Sequence, residues 1–130
     1  MAYLGPVHRW DLYWADLEPH VGSEQAGECR PVLVVSNDEF NARFDIITVL
    51  PITKLEGKRR EPYPFEVVLK GDPLGNGLTS IVMPYQIRTI SKLRLLERIG
   101  SVDVVLCQGY IEDCLMAHLG MEWDEEEPEE

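Results

Sequence analysis

A single arginine, Arg30, stands between a polar loop and a strongly apolar run of sequence. The loop, residues 18–29, contains Pro19 and two glycines, whereas Pro31–Val35 is the continuous, β-branched run typical of a buried strand. Arginine is permanently charged, and its forked guanidinium matches the oxygens of a phosphate group. Arg30 is therefore either a phosphate-binding residue held on a rigid strand, or a structural residue that caps the strand end or pairs with an acid.

Other polar residues near the ends of predicted strands allow the same two interpretations, namely Thr53, Gln86 and Arg88. Several familiar chemistries lack the residues they need. The three histidines are too far apart for an H-x-x-x-H pair, and the three cysteines form no C-x-x-C, so we predict no metal site and no cofactor. The sequence also has neither a G-x-S-x-G nucleophile elbow nor a Walker lysine.

The net charge is distributed unevenly along the 130 residues. With 23 acids against 12 bases, the formal charge of −11 disfavours a polyanionic partner, because nucleic-acid binding relies on Lys and Arg displacing counterions. Seven acids lie in the last nine residues, however, so residues 1–121 hold 16 acids against 12 bases, a net charge of −4. We expect one domain over residues 1–120 and a flexible acidic tail over residues 121–130.

The cysteines and the start of the chain point to one compartment. Three cysteines cannot all pair, which is typical of a reducing environment. Residues 1–6 have neither the basic nor the apolar region of an export signal, and no apolar run approaches the length of a membrane span. We predict a cytoplasmic location and no membrane association.

Alternating and β-branched segments predict about five strands, at residues 11–17, 31–35, 45–50, 65–69 and 80–87. The second is expected to be central. Pro51 interrupts the third without ending it, and Pro84 suggests an edge or a bulge in the last. Residues 54–62, the most basic stretch of the chain, are predicted to form a surface loop.

Capping signals predict three helical segments. Ser36, Asn37 or Asp38 can cap a short turn before Phe44, and Ser91 can cap a short helix through Arg98. A longer helix over about 103–119 has an apolar face formed by Leu106, Tyr110, Cys114 and Ala117, with Cys107, Ile111 and Leu115 beside them. We therefore predict a mainly β domain, a small barrel or strongly bent sheet whose C-terminal helix packs on the sheet.

Seven blocks of the sequence together closely resemble the MazF/PemK toxins, the mRNA interferases of type II toxin–antitoxin systems. They occur in the family's order from residue 9 to about 120, and they are Asp11–Leu17, Val21–Gly27, Arg30–Asp38, Pro51–Thr53, Tyr63–Val67, Gln86–Ile90 and Glu97–Gly100. The resemblance implies an SH3-like (CcdB/PemK-type) small barrel that forms a homodimer. It also implies metal-independent, ribosome-independent cleavage of single-stranded RNA at short sequences. In that reaction the ribose 2′-hydroxyl attacks the adjacent phosphate, which leaves a 2′,3′-cyclic phosphate and a 5′-hydroxyl.

The resemblance assigns the catalytic pair to Arg30 and Thr53 of this sequence. Because an arginine with a pKa above about 12 rarely releases its proton, the general base is a separate question, and Glu24 and His20 in the polar loop are the candidates. RNA contacts are expected from the polar loop, from the strand after residue 85 and from the basic loop, namely Gly22, Ser23, Gln25, Gln86, Arg88, Lys54, Lys58, Arg59 and Arg60.

The chain departs from the family pattern at two places near these residues. The family usually has a glycine at the position of Trp10, so the first strand is expected to begin with different packing. Between Gly27 and Arg30 the chain carries Glu28 and Cys29, one residue more than the pattern. This insertion could shift the target-sequence preference or displace Arg30.

The expected partners are a single-stranded mRNA substrate, an acidic MazE-like antitoxin and a second copy of the chain, with DNA reached only through the antitoxin. Two other functions fit the same blocks. One is a catalytically weak module that binds antitoxin in an autoregulatory DNA complex, and the other is a CcdB-like toxin that binds gyrase. The acidic tail is either a solubilising segment or, through residues 121–124 and the acids after them, an imitation of the antitoxin segment.

Overall fold

A computed structural model describes residues 5–58 and 60–121. The acidic tail from residue 122 onward and Arg59 lie outside the described residues, so the expectations for them stay predictions. The described chain forms seven strands, two α-helices and two short 3-10 turns. In chain order these are β1 Asp11–Ala15, β2 Arg30–Val34, α1 Asp38–Arg43, β3 Ile46–Lys54, β4 Val67–Leu69, β5 Ser80–Val82, the turn Pro84–Gln86, β6 Arg88–Ser91, the turn Lys92–Arg94, β7 Leu95–Ser101 and α2 Val105–His118.

The strands form one antiparallel sheet in the order β4-β5-β3-β2-β1-β7, with β6 pairing to β3 beside this path. The predicted mainly β fold with a C-terminal helix is thus confirmed. The sheet does not close into the predicted barrel, because β4 and β7, the two ends of the path, do not pair with each other within the described part of the chain. It is a strongly bent sheet, the other form that the sequence allowed.

The second strand, β2, is the central strand of the sheet, as predicted. It pairs with β1 on one side and with β3 on the other, and every residue after Arg30 is buried. Val32 and Val34 belong to one apolar cluster, whereas Leu33 and Val35 belong to a second cluster on the opposite face. Burial on both faces explains why this run is continuously apolar and does not alternate.

The third strand, β3, changes partners along its length and thereby bends the sheet. Its first half pairs with β6 and its last residues pair with β5. Pro51 lies at the change, opposite Val32 of β2, and its carbonyl accepts a hydrogen bond from Met83 N at 3.0 Å. The strand continues through the proline, as predicted, because that position needs no donor in the ladder.

The segment after Ser91 differs from the predicted helix. The Ser91 hydroxyl accepts a hydrogen bond from Leu93 N, so the capping signal is real, but it supports only the single turn Lys92–Arg94. The chain then enters β7, which pairs with β1. Pairing with a strand some 80 residues earlier overrides a weak local helix preference. In the same way, Pro84 opens a 3-10 turn after β5 and does not lie within a strand.

The final helix, α2, faces the sheet with the second of the two predicted rows, together with Cys114 of the first. Ile111 is fully buried, and Cys107, Cys114 and Leu115 pack against the second apolar cluster. Leu106 and Tyr110 are exposed. The sequence offered two adjacent apolar rows, and the crossing of the helix over the sheet selected the row through Ile111. In the described residues no helix combines the length and apolarity that crossing a bilayer requires.

Trp10 occupies a left-handed backbone conformation, with φ at 76°. Its N–H donates to the Val34 carbonyl at 2.7 Å, and its own carbonyl accepts from Val102 N at 2.8 Å. These two bonds hold the backbone in a conformation that favours glycine, the residue that the resemblance led us to expect at this position. The Trp10 indole meanwhile packs against the second apolar cluster.

We predict that Trp10→Gly is more stable than Trp10→Ala by about 1 kcal/mol. Both variants lose the indole packing, but only alanine keeps a Cβ in the left-handed region, which costs roughly 1–2 kcal/mol. The midpoints and slopes of urea unfolding measure the difference. An alanine variant as stable as the glycine variant would show that the backbone at residue 10 is not strained.

Candidate active site

Arg30 and Thr53 come together at one end of the β2–β3 pair. Val32 of β2 lies opposite Pro51 of β3, and this register, continued by two residues along each strand, brings Arg30 level with Thr53. Both line a cleft of about 140 Å³, whose other lining residues are Trp14, Cys29, Pro31, Ile52, Lys54, Leu74, Asn76, Leu78 and Ser80. The two residues assigned as the catalytic pair thus share one cleft.

The Arg30 side chain carries a buried polar atom for which the described part of the chain supplies no partner. This atom is Nε, which has no hydrogen-bond partner among residues 5–58 and 60–121. A buried N–H without a partner costs free energy, and such atoms are rare in folded proteins. Thr53, across the strand pair, is also buried, and its hydroxyl can donate or accept a hydrogen bond. An oxyanion bound in the cleft could accept hydrogen bonds from both the Arg30 guanidinium and the Thr53 hydroxyl.

Gly27 lies directly against the stem of Arg30. A Cβ at this residue would stand 2.4 Å from both Cγ and Cδ of Arg30, and the φ of 133° is itself one that favours glycine. The Gly27 carbonyl accepts from Leu17 N at 2.9 Å, and its N–H donates to the Glu18 carboxylate at 2.8 Å. The backbone of the polar loop is therefore fixed where it touches the arginine. The sequence analysis did not single out Glu18, and only the spacing of acids around the loop could have suggested it.

Gln86, in the turn between β5 and β6, holds the polar loop by hydrogen bonds to its backbone. Its amide oxygen accepts from Gln25 N at 2.9 Å, and its amide nitrogen donates to the Ser23 carbonyl at 3.0 Å. The partners are 61 and 63 residues apart in sequence. Both ends of the amide are thus engaged with the loop. The structure brings Gln86 together with the loop residues expected to bind RNA and gives it a positioning contact.

The two candidate bases lie in the polar loop and not among the residues that line the cleft. The Glu24 carboxylate accepts from Val21 N at 3.0 Å in a tight turn at Gly22, where φ is 58°. His20 Nδ1 lies 2.8 Å from a Glu18 carboxylate oxygen. This hydrogen bond from His20, together with the N–H of Gly27, lowers the pKa of Glu18. The role of either residue as general base stays a prediction.

The basic loop divides its cations between two environments. Lys54 lines the cleft with Arg30 and Thr53. Arg60 instead donates two hydrogen bonds to Glu66, at 2.8 and 3.3 Å, and its guanidinium lies 3.7 Å from the centre of the Tyr63 ring. Arg60 was expected to bind RNA, but its charge is already balanced by a carboxylate that is fully buried.

Glu66 is the centre of a polar cluster beneath exposed aromatic rings. It also accepts from the Tyr85 hydroxyl at 2.7 Å and from Tyr63 N at 2.9 Å. Burial acts to raise the pKa of Glu66, but the hydrogen bonds from Arg60, Tyr63 and Tyr85 outweigh it and the pKa is lowered. Burial and the bond to Glu66 raise the pKa of the Tyr85 hydroxyl. Glu66 thus remains a charged anchor for the end of the basic loop.

Arg88, on β6, resembles Arg30 in one respect. Its Nη1 is buried and has no hydrogen-bond partner among the described residues, while its backbone pairs with Val49 of β3. Around none of these side chains do the described residues cluster three or more potential metal ligands of the His, Cys, Asp or Glu type. Arg30 and Arg88 thus each carry a buried N–H that could donate to an anionic ligand.

The sequence of residues 8–108 matches the model of a protein family described as PemK-like, MazF-like toxin of type II toxin–antitoxin system. The chain belongs to this toxin family. Two curated relatives support the membership. The toxin is 42% identical over 97 residues to endoribonuclease EndoA of Bacillus subtilis (75% of the chain and 81% of the relative), and 36% identical over 121 residues to endoribonuclease MazF9 of Mycobacterium tuberculosis (88% and 98%).

The fold agrees with this membership. The toxin superposes on the crystal structure of MazF from Deinococcus radiodurans with a TM-score of 0.74 and 26% sequence identity. The match covers 90% of this chain and 99% of the other. The bent antiparallel sheet with a C-terminal helix therefore matches the fold of this MazF.

We predict that Arg60→Ala lowers the free energy of unfolding by clearly more than an exposed control substitution does, because it leaves the Glu66 carboxylate buried without its main counterion. Urea unfolding at neutral pH measures this change. Arg43→Ala is the matched control, since Arg43 forms an exposed pair with Glu39 at 3.2 Å and should change stability by less than about 0.5 kcal/mol.

The stability that the Arg60–Glu66 ion pair contributes should decrease at acidic pH. The pKa of Glu66 in the folded toxin lies below the ordinary value of 4.5, so the stabilisation it contributes is complete above that pH and declines as the pH falls further. The stability difference between the wild type and Arg60→Ala should therefore shrink below about pH 4.5. A difference that stays constant across that range would contradict the ion pair.

Proposed function

We propose that this toxin is an endoribonuclease that cleaves single-stranded RNA in the cleft between Arg30 and Thr53. The observation that carries the proposal is the shared cleft itself, in which a guanidinium with a buried, unpaired N–H lies across a strand pair from a buried hydroxyl. The endoribonuclease relatives supply the reaction class. A gyrase-binding toxin or a purely antitoxin-binding module has no need of this pair.

Arg30 has the properties required to stabilise the transition state. As the ribose 2′-oxygen bonds to the adjacent phosphorus and the bond to the 5′-oxygen breaks, negative charge grows on the nonbridging oxygens. Guanidinium donors preorganised on a strand act on that charge without having to reorganise. The products are a 2′,3′-cyclic phosphate and a 5′-hydroxyl. The attacking hydroxyl belongs to the substrate, so the proposed mechanism is independent of metal ions.

Thr53 is proposed to orient the phosphate for in-line attack. Its position on β3 is fixed, since β3 is paired on both sides and Thr53 lies opposite Ile81 of β5. If the Thr53 hydroxyl donates a hydrogen bond to one phosphate oxygen, the phosphate can no longer rotate freely while the Arg30 guanidinium holds it. The proton of the 2′-hydroxyl passes to Glu24 or His20, which the loop would have to bring to the cleft, and the leaving 5′-oxygen takes up a proton from solvent to become the 5′-hydroxyl.

We infer that the RNA strand follows the cations and backbone groups around the cleft. Lys54 lies in the cleft wall and Lys58 continues the basic loop, while Arg88 has an unpaired N–H. Gly22, Ser23 and Gln25 would contact the RNA through the polar loop that Gln86 holds in place. Arg60 would contribute less than its charge suggests because Glu66 neutralises it, and Arg59 would extend the same track.

The proposed partners follow from membership of a toxin–antitoxin family. We infer that an acidic, MazE-like antitoxin blocks the RNA site and that DNA is bound only through this antitoxin, in the cytoplasm. We also infer a homodimer. Exposed apolar side chains at the start of α2 support a protein interface of this kind, and they are Val104, Val105, Leu106 and Tyr110.

Arg30→Ala should reduce RNA cleavage at least about 100-fold, the typical cost of removing one preorganised donor to a developing oxyanion. The assay incubates purified toxin with a long RNA in EDTA and maps the new ends, with 2′,3′-cyclic phosphates expected. Arg43→Ala, which removes an exposed arginine of α1, is the control and should cleave at the wild-type rate. Undiminished cleavage by Arg30→Ala would exclude the mechanism. Absence of cleavage by the wild type would favour the antitoxin-binding module.

The general base can be identified from single-turnover rates. Loss of the true base should cost roughly 10²-fold or more and should remove the ionisation that limits cleavage on the acidic side of the pH profile. We expect this result for either Glu24→Gln or His20→Ala. If both variants keep the full rate and an unchanged profile, neither residue is the base.

A further inference from the structure

We propose that Glu18 is a positioning residue for cleavage and that it acts on Arg30 through the backbone of Gly27. One Glu18 carboxylate oxygen accepts the Gly27 N–H at 2.8 Å, across nine residues of the polar loop. Gly27 in turn contacts the stem of Arg30. The inference rests on the proposed function, because it assigns Arg30 as the group that must be held.

Glu18 is itself fastened to the body of the domain. The Arg94 guanidinium donates to the Glu18 carbonyl and, at 3.1 Å, to the Asp16 carbonyl. Asp16 N donates back to the Arg94 carbonyl at 2.9 Å, and the Asp16 carboxylate accepts from Glu18 N at 2.9 Å. Leu17, between them, is fully buried. The Glu18 carboxylate, which reaches across the loop to Gly27, thus projects from a backbone segment that is fixed to the domain.

Both backbone polar groups of Gly27 are hydrogen-bonded to this fixed segment, residues 16–18. Its carbonyl accepts from Leu17 N and its N–H donates to Glu18, so both polar groups of one residue are held by two consecutive residues. The Arg30 Cγ and Cδ atoms lie where a Gly27 side chain would otherwise be. Any shift of Gly27 must therefore move the aliphatic stem of the arginine or open a gap beside it.

The hydrogen bond from Gly27 to Glu18 matters in this chain because of the two residues between Gly27 and Arg30. Glu28 and Cys29 are both exposed, so burial does not fix the two residues that join Gly27 to Arg30. Each residue in a connection adds conformations that must be restricted. The Glu18 bond restricts the loop immediately before these two residues and thereby keeps Arg30 at the start of β2.

The hydrogen bonds of Glu18 favour a positioning role over a role as general base. Its first oxygen is engaged with Gly27, and its second accepts from His20 N at 3.1 Å and lies 2.8 Å from His20 Nδ1. These bonds lower the pKa of Glu18, so it remains an ionised acceptor at neutral pH. Both oxygens are occupied by the loop that they hold.

Steady-state kinetics of Glu18→Ala, Glu18→Gln and Glu28→Ala test the proposal. Glu18→Ala should lower kcat roughly tenfold or more by loosening Arg30, with KM unchanged within about twofold. Glu18→Gln should recover most of the rate, because its amide oxygen can still accept from Gly27. Glu28→Ala, which removes an exposed acid from the same loop, should match the wild type.

The Arg30→Ala background distinguishes positioning of Arg30 from a general effect on the loop. There, adding Glu18→Ala should cause no further loss in the residual cleavage rate, because the group being positioned is gone. Equal losses in the two backgrounds would overturn the proposal. A raised KM with unchanged kcat would also overturn it, since that result would place Glu18 in RNA binding.

A second measurement stays informative even if the proposed function fails. In toxin labelled with isotopic nitrogen at arginine, the Arg30 Nε–H resonance should shift or broaden in Glu18→Ala but not in Glu28→Ala. An unchanged Arg30 resonance in a folded Glu18→Ala variant would overturn the positioning role. Absence of RNA cleavage by the wild type, with the expected change in resonance, would instead refute only the proposed reaction.

Discussion

The pairing of β2 with β3 is the constraint on which the candidate site depends. Their register determines that Arg30 and Thr53, 23 residues apart in sequence, face one cleft. Because side chains alternate along a strand, a slip of one residue would turn one of them to the opposite face. Burial of β2 on both faces prevents such a slip, since it would exchange the members of two distinct apolar clusters. The stability of the core and the geometry of the site are thus set by the same interaction.

The distribution of arginine partners is consistent with the proposed phosphate-binding role of Arg30 in an acidic chain. Arg60 and Arg98 are each paired with a buried carboxylate, Glu66 or Asp11. Arg30 instead keeps a buried N–H unpaired. An unpaired buried donor destabilises the unliganded protein, and a bound phosphate would relieve this by accepting a hydrogen bond from it. The location of the charges therefore says more about the partner than the total of −11 does.

The loop before Arg30 shows that preorganisation requires contacts from outside the strand pair. Gln86 holds the loop at Ser23 and Gln25, while the segment from Asp16 to Glu18 holds it at Gly27. The exposed middle of the loop, around Gly22 and Glu24, makes only local hydrogen bonds. A loop fixed at its base and free at its tip suits an enzyme that must hold a guanidinium still and also admit a long, flexible substrate.

The sequence alone determined the features that rest on local patterns, such as the central strand β2, the continuation of β3 through Pro51, and a short helix capped by one of residues 36–38. The structure identifies Asn37 as that cap, since its side chain accepts from Phe40 N. The sequence also indicated Arg30 and Thr53, through the resemblance of their flanking blocks. Only the tertiary structure decided that residues 95–101 form a strand, that α2 packs through Ile111, that Arg60 is neutralised by Glu66, and that Glu18 and Gln86 hold the polar loop. The physical reason is that each of these outcomes depends on which partner the folded chain brings within contact distance, and the local spacing of residues carries no signal for that choice.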